Sequence, residues 1–271
     1  MDACRRGASE GRGLKEGLIR EGIKLRARRA LERQLDYQRL KSAGLEGREE
    51  DVIASMVAHS RTVRAEIERV AAIAPDARVL EVGSGAHGLI FFFDAPHRVG
   101  IDPLADHYRE LFPAWQHRAK TIAAFGEAMP FDDASFDIVL CDNVVDHAEN
   151  PRKIVQEIAR VLAPGGTLYF TVNIHHPFYA LASNIHASWR ALGIPLEITP
   201  FADHTVHLTR RTAPALFDGL PFTVVTQSDD IEETTLRTKL VPPRHLGDRL
   251  KLLFFKNASW KMIAIREPTE L

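Results

Sequence analysis

Val79-Leu80-Glu81-Val82-Gly83-Ser84-Gly85-Ala86-His87-Gly88 is the stretch on which the reading of this chain turns. Val79, Leu80 and Val82 have the apolar character of a buried strand. Gly83 and Gly85 then make a tight turn that can take positive φ, and the missing Cβ atoms let a ligand approach the backbone. The next apolar run, Val99-Gly100-Ile101, ends in Asp102. A glycine-rich turn after one strand and a carboxylate after the next is the pattern that holds a ribose-containing cofactor.

Gly83-x-Gly85-x-x-Gly88 also spells the dinucleotide fingerprint, so two cofactors compete. Glu81 separates them. A pyrophosphate next to a carboxylate is repelled, whereas the ammonium group of S-adenosylmethionine is tolerated or attracted. The order apolar-apolar-acid-x-Gly-x-Gly from Val79 to Gly85 resembles the first motif of the class I S-adenosylmethionine-dependent methyltransferases. Three further stretches carry the same resemblance. Phe125-Gly126-Glu127-Ala128-Met129-Pro130-Phe131, followed by a polar turn and Phe136-Asp137, is similar to the family's acid-Ala-x-x-Leu-Pro-Phe segment, with Phe125 in place of the acid. Asp142-Asn143-Val144-Val145-Asp146-His147 resembles the polar segment lining the cofactor. Arg160 to Leu168 is similar to the family's RVLKPGG turn, a helix-to-strand reversal. The resemblance, closest to the type 11-like methyltransferases, covers about residues 60–266 and is strongest over 78–172.

That resemblance implies an α/β fold: a Rossmann-like, doubly wound, seven-stranded sheet of order 3-2-1-4-5-7-6, last strand antiparallel, with N-terminal helices. It implies S-adenosyl-L-methionine as cofactor, held by Glu81, Gly83, Ser84 and Gly85 at the first turn. Asp102 would accept the ribose hydroxyls with Pro103 beside it, although an Asp before Pro also caps helices. Phe125, Gly126 and Glu127 would meet the adenine, and Asp142, Asn143 and His147 would complete the site. His87 stands where the family often has a third glycine, a role open to Gly88. The apolar run Leu89 to Phe93 should start a buried helix whose amides point at the cofactor's carboxylate.

Methyl transfer is an in-line displacement at a sulfonium methyl, so the protein's main task is to place the acceptor atom. No metal is obligatory, and none is expected. A hydroxyl acceptor needs a base, and histidine suits that role. The candidates are His175 and His176 after strand five, His147 after strand four, and His204 in the stretch before a later helix. The expected reaction is methylation of a hydroxyl on a sugar, a lipid-linked saccharide or a secondary metabolite.

Working outward, residues 1–13 read as a mobile polar tail and 14–75 as a helical lid, with helices over about 14–42 and 49–73. Residues 76–271 read as the catalytic domain, interrupted by insertions at about 177–205 and 229–256. Pro164-Gly165-Gly166 should end the helix begun at Asn150-Pro151, and a helix is expected over about 210–218. Arg26, Arg28, Arg29 and Arg33 form a basic cluster, read first as a solvated helix face. The alternative is an enzyme that methylates RNA or protein through these helices. The net charge of −1 weighs against nucleic acid as a partner. Basic residues of the second insertion, from Arg237 to Lys251, could cover the acceptor or pair with another subunit as a homodimer. Cys4 and Cys141 read as free thiols. With neither a secretion signal nor an apolar run long enough for a membrane span, the expected location is the cytoplasm.

Overall fold

The computed structural model describes residues 31–45, 47–178, 206–240, 255 and 257–268. Helix α1 (residues 31–43) leads into α2 (Glu49–Glu68), β1 (Arg78–Val82) and β2 (His97–Ile101). Then come α3 (Ala105–Leu111), α4 (Pro113–Gln116), β3 (Lys120–Ile122), β4 (Phe136–Asp142), α5 (Pro151–Val161) and β5 (Leu162–Ile174). The chain closes with β6 (Phe222–Asp229), α6 (Ile231–Leu240) and β7 (Ala258–Arg266).

The strands form one sheet in the order β3-β2-β1-β4-β5-β7-β6. Neighbours from β3 to β5 run parallel, and β7 is antiparallel to both β5 and β6. The order and the reversed last strand are those implied by the resemblance. Because side chains alternate along a strand, each face has its own core. Leu80, Val82, Val139 and Cys141 pack with Ile154, Val155 and Ile158 of α5. Val79, Ile138, Leu140 and Tyr169 face the other way, toward Met56, Val63 and Ile67 of α2.

Four local expectations are corrected. Only a 3-10 turn, Leu89–Phe91, forms in the apolar run, because Asp94-Ala95-Pro96 cuts it short before a second turn can grow. Helix α2 ends at Glu68, several residues before Pro75. Helix α5 ends at Val161, before Pro164. Strand β5 begins at once, and Phe136 pairs with Leu162 while Ile138 pairs with Thr167. Pro164-Gly165-Gly166 therefore lies in an irregular stretch within β5, with Gly165 at φ 78°. Finally, residues 214–217 form a 3-10 turn in place of a helix over 210–218. Part of the second insertion is α6, and residues 179–205 of the first lie outside the described residues.

Candidate functional site

The site is built around the turn after β1. Gly83 and Gly85 adopt φ of 70° and 53°, the left-handed region that glycine enters freely. A Cβ on Gly83 would sit 2.5 Å from both methyl carbons of Val144. The Gly83 and Ser84 amides donate to Ile101 O at 2.8 and 3.0 Å. From α4, Trp115 Nε1 donates to Ala86 O (2.7 Å) and Gln116 Nε2 to Gly85 O (3.1 Å). These two clamps escaped the sequence reading, since nothing in a Trp-Gln pair on a short helix announces a loop thirty residues earlier.

Glu81 is 2% exposed. Its Oε1 accepts the Leu89 amide at 3.0 Å and its Oε2 the Ile90 amide at 2.9 Å. The amides expected to face the cofactor's carboxylate are thus taken by the protein's own. Burial pushes Glu81 up to about 8, opposed by those two bonds. Gly88 follows from the same packing: a Cβ there would overlap Glu81 Oε2 and Ser84 O. The third glycine therefore serves an internal carboxylate.

Asp102 bridges two loops. Its Oδ2 accepts from Gly85 N (3.1 Å) and its Oδ1 from Leu104 N (2.8 Å). Helix α3 starts only at Ala105, so Asp102 does not cap a helix opening at Pro103. Burial raises Asp102 to about 6, with the two amide bonds opposing. Each oxygen keeps a second lone pair for a ligand.

Glu81, Gly83, Ser84, Gly85, Asp102 and Pro103 line one cavity of about 730 Å³, within the range of ~300–1,000 Å³ usual for small-molecule sites. Phe125, Gly126 and Glu127 form another wall, and Asp142, Asn143 and His147 a third. Helix α1 adds Arg33, Gln34 and Tyr37. All the residues assigned to the cofactor from sequence are thereby brought together. Phe125 is half-exposed, leaving its ring available. Glu127 Oε1 accepts the amides of Glu149 (3.1 Å) and Asn150 (3.3 Å), so part of its acceptor capacity serves the start of α5. Arg160 donates to Met129 O and Phe131 O and ties this loop to α5, which gives the RVLKPGG-like arginine a role beyond the turn.

A methyltransferase-domain family model matches residues 80–170, the stretch from β1 to β5 that carries this geometry. Residues 80–170 form a class I methyltransferase domain. Among relatives, the thiol S-methyltransferase TMT1B of Rattus norvegicus is 27% identical over 155 residues, 53% of this chain and 64% of that protein. An uncharacterised protein of Methanocaldococcus jannaschii is 36% identical over 106 residues, 39% of this chain and 49% of that one. The chain thus spans about half the length of the curated relatives it matches. In fold, it is similar to geranyl diphosphate C-methyltransferase from Streptomyces coelicolor, solved with S-adenosyl-L-homocysteine (TM-score 0.55, 16% identity, covering 80% of this chain and 83% of that one). YcgJ of Bacillus subtilis aligns with TM-score 0.53 and 16% identity, covering 77% of this chain and all of that one.

The cofactor of this family is S-adenosylmethionine, and the methyltransferase domain's donor set suits it. Asp102 offers a carboxylate to a ribose diol, Phe125 an apolar face to a purine, and the two left-handed glycines an open backbone turn.

The methyltransferase domain places its candidate histidines unequally. His147 lines the cavity with its ring half-exposed and Nε2 3.8 Å from the buried Asp146. His175 is fully buried, its ring 4.9 Å from that of His207 and its Nδ1 accepting from Asn257 N at 3.4 Å. His176 packs edge-on against Phe255 at 5.6 Å. Neither lines the cavity, which corrects their expected position. The reason is that β5 stays paired to β7 as far as Ile174–Ala258 and Leu208 bridges its end, which buries His175, while His176 packs on Phe255. His204 lies outside the described residues. His87 turns away from a simple glycine role, packing on Phe112 (5.1 Å) and Trp115 (5.3 Å), and burial lowers it to about 4. Of the basic cluster, Arg33 lines the cavity, and Arg26, Arg28 and Arg29 lie outside the described residues. Among the described residues, no helix is long and apolar enough to cross a membrane.

His59 of α2 was missed from sequence. Its Nε2 lies 2.9 Å from Asp142 Oδ2, at the end of β4. No motif marks a histidine in the middle of an amphipathic helix, so only packing reveals the pair.

Proposed function

We propose that this chain transfers the methyl group of S-adenosylmethionine to a hydroxyl of a small-molecule acceptor of the sugar, lipid-linked saccharide or secondary-metabolite class. The observation that carries the reading is His147, exposed in the cofactor cavity with a buried carboxylate behind it. When bound, the donor supplies an electrophilic methyl on a sulfonium. The chain's own part would be to hold the acceptor hydroxyl in line with that methyl and to take its proton on the His147 imidazole. An imidazole suits the role of a base working close to neutrality. Helix α1 acts as a lid, with Leu31, Gln34 and Tyr37 excluding water over the acceptor.

A thiol acceptor is the second reading, favoured by the similarity to a thiol S-methyltransferase. A thiol of pKa ~8.5 needs less help from a base. Incubation with isotopically labelled donor and a panel of hydroxyl and thiol acceptors separates the two. For a hydroxyl acceptor, His147→Ala lowers kcat by about 100-fold or more. For a thiol, the same substitution changes kcat little. Transfer to neither class overturns the proposal.

A further inference from the structure

The face of the sheet under α2 carries a polar row that the reaction described above does not use. Alternation places Glu81 of β1, Asp142 of β4, Thr171 of β5 and Lys261 of β7 on this one face. Asp142 pairs in register with Thr171, and Thr171 with Lys261, while Glu81 pairs with Leu140, two residues before Asp142. Helix α2 lies over the row. His59 Nε2 meets Asp142 Oδ2 at 2.9 Å, and Glu66 accepts from Lys261 Nζ at 2.7 Å. Thr171 Oγ1 donates to Asp142 Oδ1. Both Asp142 oxygens are therefore held, yet its side chain keeps 24% exposure and lines the cofactor cavity.

The two acids of the row differ in state. Burial raises Glu81 to about 8, which leaves it largely neutral near pH 7. Burial opposes ionisation of Asp142 as well, but the hydrogen bonds from His59 and Thr171, with the charges of His59 and Lys261, outweigh it and hold its carboxyl below the usual range. The bond to Asp142 raises His59 above 6.5, against burial, and the charge of Glu66 adds to the rise.

We infer that His59 is a positioning residue: it holds Asp142 as the carboxylate that receives the donor's ammonium group, and protonation of His59 weakens that reception. The inference rests on S-adenosylmethionine as donor. Asp102 suits the ribose end, and the amides after the glycine turn are occupied by Glu81. Asp142 is the ionised carboxylate beside that turn, Gly83 packing on Val144 two residues beyond it. Neutral His59 leaves Asp142 its full charge. Protonated His59 cancels that charge and adds a cation that repels the ammonium. Affinity for the amino-acid end of the donor therefore rises as pH rises through the titration of His59.

Calorimetry with two nucleosides tests this. S-adenosylhomocysteine keeps the amino-acid end; 5′-methylthioadenosine lacks it and keeps the ribose and adenine. The ratio of their affinities for the wild-type protein should rise about fivefold between about pH 5.5 and 7.5, the scale of one unit charge a few ångströms away in a half-solvated cleft. His59→Gln keeps an N–H for Asp142 but cannot ionise, and its ratio should rise clearly less than the wild type's. Titration of Asp102 acts on both nucleosides and cancels in the ratio, and Glu81, His87 and His147 are present in both proteins. By nuclear magnetic resonance, the His59 imidazole of the unliganded protein should titrate above 6.5. Saturation with S-adenosylhomocysteine should move it down, and saturation with 5′-methylthioadenosine should not. The same pH slope in His59→Gln as in the wild type, or a His59 titration unmoved by S-adenosylhomocysteine, overturns the inference while leaving the donor assignment standing. Binding of neither nucleoside overturns the donor assignment and the inference together. Should His59→Gln fail to fold, the imidazole titration of the wild-type protein decides alone.

Discussion

Around β1, side chains and backbone meet so closely that few alternatives exist. A Cβ on Gly83, Gly88 or Gly100 would collide with Val144, with Glu81 and the Ser84 carbonyl, or with the Ser84 side chain respectively. At the other end of the sheet, β6 is exposed from Thr223 to Ser228, and α6 contributes no buried residue. Val224, Val225, Leu236 and Leu240 are all exposed there. The difference shows where this fold stores its information. The β1 end is specified by side-chain fit and by buried carboxylates, whereas β6 is specified by backbone pairing to β7. Pairing of that kind tolerates many side chains.

The sharpest way to break this comparison is to titrate its buried acid. Glu81 binds its proton to about pH 8 in the folded state, against about 4.5 for the free side chain, so the folded state holds more protons across that window. Its contribution to stability is whole below the lower value and falls as pH rises, with a limiting slope of about 1.4 kcal/mol per pH unit. Denaturant unfolding between pH 6 and 8 should show the decline in the wild type and a shallower one in Glu81→Gln. A mutant slope equal to the wild type's would remove Glu81 from the explanation.

Next in size is Asp102→Ala. Loss of a charge-assisted acceptor for the ribose should weaken S-adenosylhomocysteine binding by about 100-fold, on the order of 3 kcal/mol. Isothermal titration would report it, and an unchanged affinity would detach the β2 carboxylate from the cofactor. Gly88→Ala follows, with an expected cost of about 1–3 kcal/mol in unfolding free energy from forced overlap with Glu81. A neutral result would mean that the carboxylate can shift without cost. The smallest effect is expected at the far edge: Val225→Thr should change stability by less than about 0.5 kcal/mol, measured the same way. A loss above 1 kcal/mol would show that the β6 edge is packed against something in solution.

Much of the cofactor end was legible because its constraints are local in the chain. Val79 to Gly85 and Asp102 can be read as strand, turn and carboxylate by spacing alone, and the structure brings them around one cavity with Phe125, Gly126 and Asn143. The errors cluster where a distant segment intervenes. His175 and His176 follow a strand end, and the rule that ligands sit there pointed to them, but β7 and Leu208 cover that end. The amides of Leu89 and Ile90 were assigned to a ligand, and Glu81 folded back to take them. His59 gave no signal, because its partner Asp142 lies 83 residues away.

The order of apolar runs, glycine turns and strand-end acids was enough to indicate an α/β class with a ribose-cofactor turn, since that pattern depends on neighbours within one β-turn-helix unit, whereas the strand order came with the family resemblance those motifs carry. Which carboxylate turns inward, which histidine reaches the cavity and which helix lies over Asp142 were decided by packing between segments far apart in the chain. Burial and hydrogen bonding change what an acid or an imidazole can do, and both are set only once those segments meet.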